Sequence, residues 1–381
     1  MLEGVEESSE AARLVSLFCA LAAIPSPSNS EGACGKAVTA ELTSLGLDVH
    51  ADGAGARVGS DCDNLYCRIP PTTTGLPLFL CAHLDTVPPT DVLKPVLVDG
   101  VLRNATPSIV GADNKAAVTV ILEAIRTLVV DEVPHAGVEL IFTIGEERGL
   151  IGSSAFDTSV LHARNGYVLD HPGAIGGYVE AAPSRFVIHA AMHGKASHSA
   201  IAPEEGTNAI VPLAAAIAAL PAASKRANVN VARMQGGLAL NVVPDFAEAS
   251  IDVRAVEQSD AEQMVATIEA TLRSEAEDAG CEIEVDIQSR YSAYRVPDDS
   301  PALGLALAAF ARHDLAVTAL ETRGGSDANV FHKRGLDCVN LAHAVVGFHA
   351  TDERVEVADL VLMKAVLLSI IAESCTPPDS K

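Results

Sequence analysis

Short apolar runs alternate with helical stretches along the first half of the chain, and the residues able to do chemistry recur just past the ends of those runs. Asn64 to Pro70 and Leu78 to Leu84 read as strands bounded by turn residues, the second delivering His83 and Asp85. An Ala/Val/Ile/Leu-rich helix follows from about Asp113 to Val130, then a strand Val138 to Ile144 leading to Glu146 and Glu147, then a strand Tyr167 to Asp170. A helix is also expected over residues 9 to 23. Such alternation predicts an α/β fold whose mostly parallel mixed sheet is flanked by helices, with ligands gathering outside the carboxyl ends of the strands.

After Ala182 the rhythm changes. A strand at 185 to 193, a helix at 205 to 220, strands near 228 to 235 and 245 to 255, a helix at 258 to 279 and a strand at 281 to 289 make a βαββαβ unit of α+β type. Residues 293 to 381 return to strand and helix, closing with a helix from about Val357 to Ser374. The expected organisation is a discontinuous catalytic domain, 1–182 and 293–381, with a lid or dimerisation domain, 183–292, inserted in it. A length of 381 residues agrees, since single cores stop growing near ~250 to 300. Thr376 to Lys381 are expected to be a disordered tail.

The composition, 49% hydrophobic and 20% charged, is that of a globular protein. A formal net charge of -24 argues against nucleic acid or an anionic membrane as partner. Apolar runs such as Ala209 to Ala223, broken by Pro212 and Pro221, fall short of the ~20 residues a membrane span needs. Met1 to Arg13 is acidic and polar, without the basic start and apolar core of an export signal. Eight cysteines with no CxxC pair read as reduced thiols of a cytoplasmic protein.

His83 and Asp85, two apart, share one face of an extended strand, where an imidazole can bind metal and a carboxylate can support it. Asp113, in Gly111-Ala112-Asp113-Asn114-Lys115, stands where a helix begins and is by itself accounted for as a cap. Glu146 and Glu147 set two carboxylates side by side after a buried strand, a costly pairing unless they face water or a cation. Asp170 ends another strand, and His349 lies in Gly347-Phe348-His349-Ala350 near the C-terminus. Two imidazoles and several carboxylates suit zinc, and five candidate ligands exceed what one tetrahedral ion with an open position needs. Two ions sharing a carboxylate fit the arithmetic, with Glu146 left free to move protons. His50, His135, His162, His171, His189, His193, His313, His332 and His343 are read as structural or surface residues.

In this order the segments resemble the two-zinc metallopeptidase family that includes peptidase T, glutamate carboxypeptidase and the aminoacylases. The likeness covers essentially the whole chain. Its phrases are His83-Leu84-Asp85, Gly111 to Lys115, Glu146-Glu147-Arg148-Gly149-Leu150-Ile151-Gly152, Asp170, Gly194-Lys195-Ala196-Ser197-His198-Ser199, Asn241-Val242-Val243-Pro244, and His349 with Glu353. Arg323-Gly324-Gly325-Ser326-Asp327 and Pro203 to Ile210 are most similar to the peptidase T-like branch.

The resemblance implies that His83 and Asp170 hold one zinc, Glu147 and His349 the other, and that Asp113 bridges them, with cobalt or manganese as possible substitutes. It makes Glu146 the general base, Asp85 the partner that orients His83, and His198 the donor to the oxyanion formed when a metal-bridging hydroxide attacks. Asn241, Arg254 and Arg323 become candidates to grip the substrate, although a salt bridge accounts for either arginine alone. It implies a cis peptide between Asp113 and Asn114. Gly145 departs from the pattern, standing where many members carry an acidic residue. The expected activity is cleavage of small peptides, as a tri- or dipeptide aminopeptidase, by a protein that dimerises through its lid. The alternatives are a carboxypeptidase, an N-acyl-amino-acid deacylase or a non-catalytic metal-binding scaffold.

Overall fold

The structure is a computed structural model and describes residues 9–221, 224 and 227–375. The tail from Thr376 to Lys381 lies outside the described residues. The chain forms two compact units, one ending at Glu180 and resuming over Arg295–Leu320 and from Ser326, the other comprising Ala181–Tyr294 and Glu321–Gly325. Glu321–Gly325, which the sequence reading kept with the outer segments, groups with the inserted unit. There Thr322 donates its N–H to the Ala181 carbonyl at 3.0 Å, and the Tyr291 ring sits so close over Gly325 that a Cβ would lie 2.3 Å from it.

The first unit is built on a mixed sheet ordered Val49–Ala51, Leu65–Ile69, Val138–Thr143, Leu78–His83, Asn165–His171, Asp337–Ala342 and Gly177–Ala182. Its four central strands are parallel, and antiparallel pairs flank them. Parallel strands are covered on both faces, which is why Leu78–His83 and Val138–Thr143 are buried at every position and read as unbroken apolar runs. The helix Ala112–Val130 lies against this sheet, and Ser9–Ala22 and Val357–Glu373 pack on it in turn.

The second unit has a four-stranded antiparallel sheet, ordered Ala227–Gly236, Phe246–Ala255, Ser184–His193 and Glu282–Tyr291. Burial alternates along Ser184–His193 and Phe246–Ala255, and their inward residues, Ile188, Met192, Ala249 and Ile251 among them, form a core with Leu213 of helix Ile210–Ala219 and Ile268 and Leu272 of helix Gln258–Asp278.

The helix expected from 205 starts later. Residues Pro203–Glu205 make one tight turn, Thr207 pairs with Lys195, and the Asn208 side chain accepts the N–H groups of Ile210 and Val211, so the helix begins at Ile210. Gly194 permits that pairing, since a Cβ there would lie 2.0 Å from the Thr207 carbonyl oxygen. A small sheet of Pro95–Val98, Val101–Asn104 and Arg354–Glu356 has no counterpart in the sequence reading. Its strands are short and half exposed, yet Asp99-Gly100 carries the positive φ angles, 50° and 79°, of a two-residue hairpin turn.

Among the described residues no helix is long and apolar enough to cross a membrane. All eight cysteines are free thiols.

Gly166 tests the central packing. It lies on Asn165–His171, where a Cβ would stand 2.4 Å from the buried Phe79 ring, itself held edge-on against Phe331 with centroids 5.3 Å apart. Gly166→Ala is expected to cost about 1–3 kcal/mol, as overpacking does. Thermal denaturation reads this directly, and an unchanged midpoint contradicts the packing described.

Candidate metal centre

Adjacent parallel strands end at the same edge of a sheet, which brings the polar residues at their carboxyl ends together. His83 closes Leu78–His83, Asp170 sits near the end of Asn165–His171, and Glu146 and Glu147 follow Val138–Thr143. The turn into the two glutamates passes through Gly145 at φ +58°, where a Cβ would lie 2.4 Å from Ile151 Cγ1. A side chain there would be strained at this φ and would have to displace Ile151, which accounts for the glycine. Asp113 begins the helix Ala112–Val130 with non-helical angles, φ −82° and ψ 100°, and the peptide bond to Asn114 is cis. His349 is on the loop between Asp337–Ala342 and Arg354–Glu356.

These six side chains converge. His83 Nε2 lies 3.1 Å from Asp113 Oδ1 and 3.7 Å from Asp170 Oδ1, while His349 Nε2 lies 2.7 Å from Glu147 Oε1 and 3.1 Å from Asp113 Oδ2. The two oxygens of Asp113 thus face different imidazoles. Donor atoms of His83, Asp113 and Asp170 all lie within 4.8 Å of one another, as do those of Asp113, Glu147 and His349, and those of His83, Glu146 and Glu147. His83 and Asp113 are buried, whereas the His349 side chain is 49% exposed, so the cluster opens toward solvent on that side.

Three buried carboxylates secure the backbone beneath. Asp85 accepts the N–H of Glu146 at 3.0 Å, that of Glu147 at 3.2 Å and the Ser28 hydroxyl at 2.6 Å, and it also faces His83 Nδ1 at 3.3 Å. The same imidazole nitrogen is 2.9 Å from the Asp85 carbonyl oxygen. Glu353 takes the N–H groups of Gly111 and Asp113 at 2.6 and 2.9 Å, holding the start of the helix. Glu31 takes the Gly145 N–H at 3.0 Å. Nothing in its own surroundings in the sequence marks Glu31 for this task, because its partner is 114 residues away.

Crowding sets the electrostatics. Burial pushes the Glu146 carboxyl well above the usual range, and Asp170, Asp327 and Glu147 push the same way. Burial raises Asp170 to about 7 against the pull of His83. Hydrogen bonds to Asp113 and Glu147 raise His349 to about 10. For His83, burial opposes a charge, but hydrogen bonds with Asp113, Asp170 and Asp85 outweigh it and raise its pKa. Carboxylates packed this closely hold protons between them unless cations take their place. Nitrogen and oxygen donors in two sets sharing Asp113 fit a pair of divalent ions. His343, read as structural or surface, is buried and stacked on Phe348, with burial lowering its pKa to about 4.

The remaining sequence candidates belong to the second unit. His198 Nδ1 accepts the N–H groups of Ala200 and Ile201, both at 3.3 Å, which leaves the proton on Nε2 as an outward donor. His198 pairs with Val242 and Ser199 donates its N–H to the Asn241 carbonyl, which runs the two segments alongside each other, and His198 and Asn241 are both exposed. Arg254 pairs with Asp252 at 3.0 Å and donates to the Arg323 carbonyl at 3.2 Å, and Asp252 also receives Arg185 at 2.7 Å. Arg254 is therefore held in an ion pair. It nonetheless lines, with Arg323, Asn228 and Asn230, a cavity of about 280 Å³.

Known proteins resemble this chain in sequence and in fold. A family model of the M20 peptidase dimerisation domain matches residues 171–280, and one of peptidase family M28 matches residues 64–176. An uncharacterised protein of Bacillus subtilis, YqjE, is 32% identical over 364 residues, 95% of this chain and 98% of the relative. The crystal structure of an aminopeptidase PepT from Bacillus cereus is 32% identical with a TM-score of 0.88, over 96% of this chain and 99% of that one. A tripeptidase structure from Staphylococcus aureus is 28% identical with a TM-score of 0.90, over 96% and 98%. In sequence and fold alike, this chain belongs to the M20 family of metallopeptidases, in its peptidase T-like branch.

Proposed function

We propose that the protein is a two-zinc aminopeptidase that removes a residue from small peptides with a free amino end, tripeptides foremost. The observation carrying this reading is Asp113, with one oxygen toward His83 and the other toward His349, and Glu146 alongside. His83 and Asp170 would hold one ion, Glu147 and His349 the other, and Asp113 both. When bound, the ions would polarise the scissile carbonyl and bring the pKa of water down to about 7.

Glu146, whose carboxyl is pushed upward by burial and by neighbouring carboxylates, takes the proton of the attacking water and returns it to the leaving amine. Asp85 holds His83 through Nδ1 and holds the Glu146 and Glu147 peptides through its carboxylate, so one residue sets ligand and base in register. His198, with its proton fixed on Nε2, donates to the oxyanion. Arg323 and Asn241 grip the substrate backbone or its carboxylate, and Arg254 joins them by exchanging its pairing with Asp252.

The relatives named as aminopeptidase and tripeptidase support this substrate class. The match to a dimerisation domain supports a homodimer formed through the inserted unit, and eight free thiols support a reducing, cytoplasmic setting. A panel of di- and tripeptides with free and blocked ends tests the specificity. Cleavage that survives a blocked amino end but not a blocked carboxyl end contradicts an aminopeptidase.

Two substitutions separate the roles. Glu146→Gln is expected to keep fold and metal content while turnover falls about 10²- to 10⁴-fold, as for loss of a general base; undiminished turnover removes Glu146 from that role. Asp113→Ala is expected to lose metal, read by elemental analysis of the dialysed protein. Retention of two ions per chain contradicts the bridge.

A further inference from the structure

We infer that Asn340 is the positioning residue for Asp170, anchored in turn by Ser326, and that it sets how tightly the ion on the Asp170 side is held. The inference rests on the two-metal reading above.

Pairing between the strands Asp337–Ala342 and Asn165–His171 slips at one point: Leu341 stands opposite Leu169 and Ala342 opposite His171, so Asp170 has no counterpart. A residue left out of a ladder in this way loses backbone partners for its own N–H and C=O, and its side chain is re-aimed. In a buried sheet those groups must be satisfied by something else.

The Asn340 amide covers both. Asp170 donates its N–H to Asn340 Oδ1 at 3.0 Å, and Asn340 Nδ2 donates to the Asp170 carbonyl at 3.1 Å. The second hydrogen on Nδ2 goes to Ser326 Oγ at 3.0 Å. Both donors of the amide are therefore used, and the reversed orientation would set its NH₂ against the Asp170 N–H. Ser326 is fixed by a reciprocal capping box at the start of helix Asp327–Lys333, its own N–H bonded to Asn329 Oδ1 at 3.0 Å. Asn340, Ser326 and Asn329 are all at most 3% exposed, so water does not stand in for any of them.

The chain of contacts thus runs from a helix cap through one amide to the backbone of a single site carboxylate, which reaches His83. The Ser326-Asp327 phrase, so far only a mark of family branch, gains a physical task by this route.

The test is zinc titration of the metal-free protein by calorimetry, for wild type, Asn340→Ala and Ser326→Ala, with metal-free thermal midpoints recorded beside it. Wild type is expected to bind two ions. In Asn340→Ala the affinity for one ion should fall about 10- to 100-fold, the usual effect of losing a partner behind a ligand, with the other ion changed by no more than a few-fold. In Ser326→Ala the same ion should weaken by a smaller factor, and this variant decides the matter if Asn340→Ala does not fold. At saturating zinc the KM for a tripeptide should match wild type in both, with kcat recovering as zinc is raised. A purely structural Asn340 would lower the thermal midpoints and leave both affinities of the folded protein unchanged, which overturns the inference while the two-metal reading stands. Wild type binding fewer than two ions overturns that reading and the inference with it.

Discussion

The structure turns on one carboxylate. Asp113 stands between two imidazoles that arrive from opposite ends of the chain, His83 on Oδ1 and His349 on Oδ2, and three further carboxylates crowd the same space. Such an arrangement is unfavourable for a protein alone, because like charges withdrawn from water repel and must recruit protons. The raised Asp170 and Glu146 and the raised imidazoles are the signature of that conflict. Divalent cations would resolve it, and in the proposed reading Glu146, which is not needed as a ligand, then serves as the base.

Holding such a cluster open needs support from groups that are themselves satisfied. Asp85, Glu353 and Glu31 each accept backbone N–H groups from the segments that carry Glu146 and Glu147, Asp113, and Gly145. These hydrogen bonds from peptide N–H groups to buried carboxyl groups join segments far apart in sequence. The parallel strands supply the common edge, and these carboxylates fix the loops that leave it.

Much of this was legible in the residues. The unbroken apolar runs of Leu78–His83 and Val138–Thr143 follow from burial on both faces, and they point to the edge where His83, Glu146 and Asp170 gather. Asp113 read alone as a helix cap, and it does begin a helix, but its carboxylate is turned toward the imidazoles by backbone angles no sequence rule specifies. Long-range partners were hidden for a simple reason. Glu31 and Asn340 act on peptides 114 and 170 residues away, and local spacing carries no trace of such pairings. The late start of the helix at Ile210 was hidden likewise, since the tertiary pairing of Thr207 with Lys195 overrides the helical pattern of 205 to 209. The Asp99-Gly100 hairpin was the opposite case, a local turn signal present in the sequence but flanked by strands too short and exposed to stand out.

The central claim is that two cations share Asp113. Crystals of the zinc-loaded protein, with anomalous scattering recorded on either side of the zinc absorption edge, measure this directly. The account predicts two anomalous peaks per chain, one against His83 and Asp170 and the other against Glu147 and His349, both within bonding distance of Asp113. A single peak, or peaks away from these five residues, would contradict it.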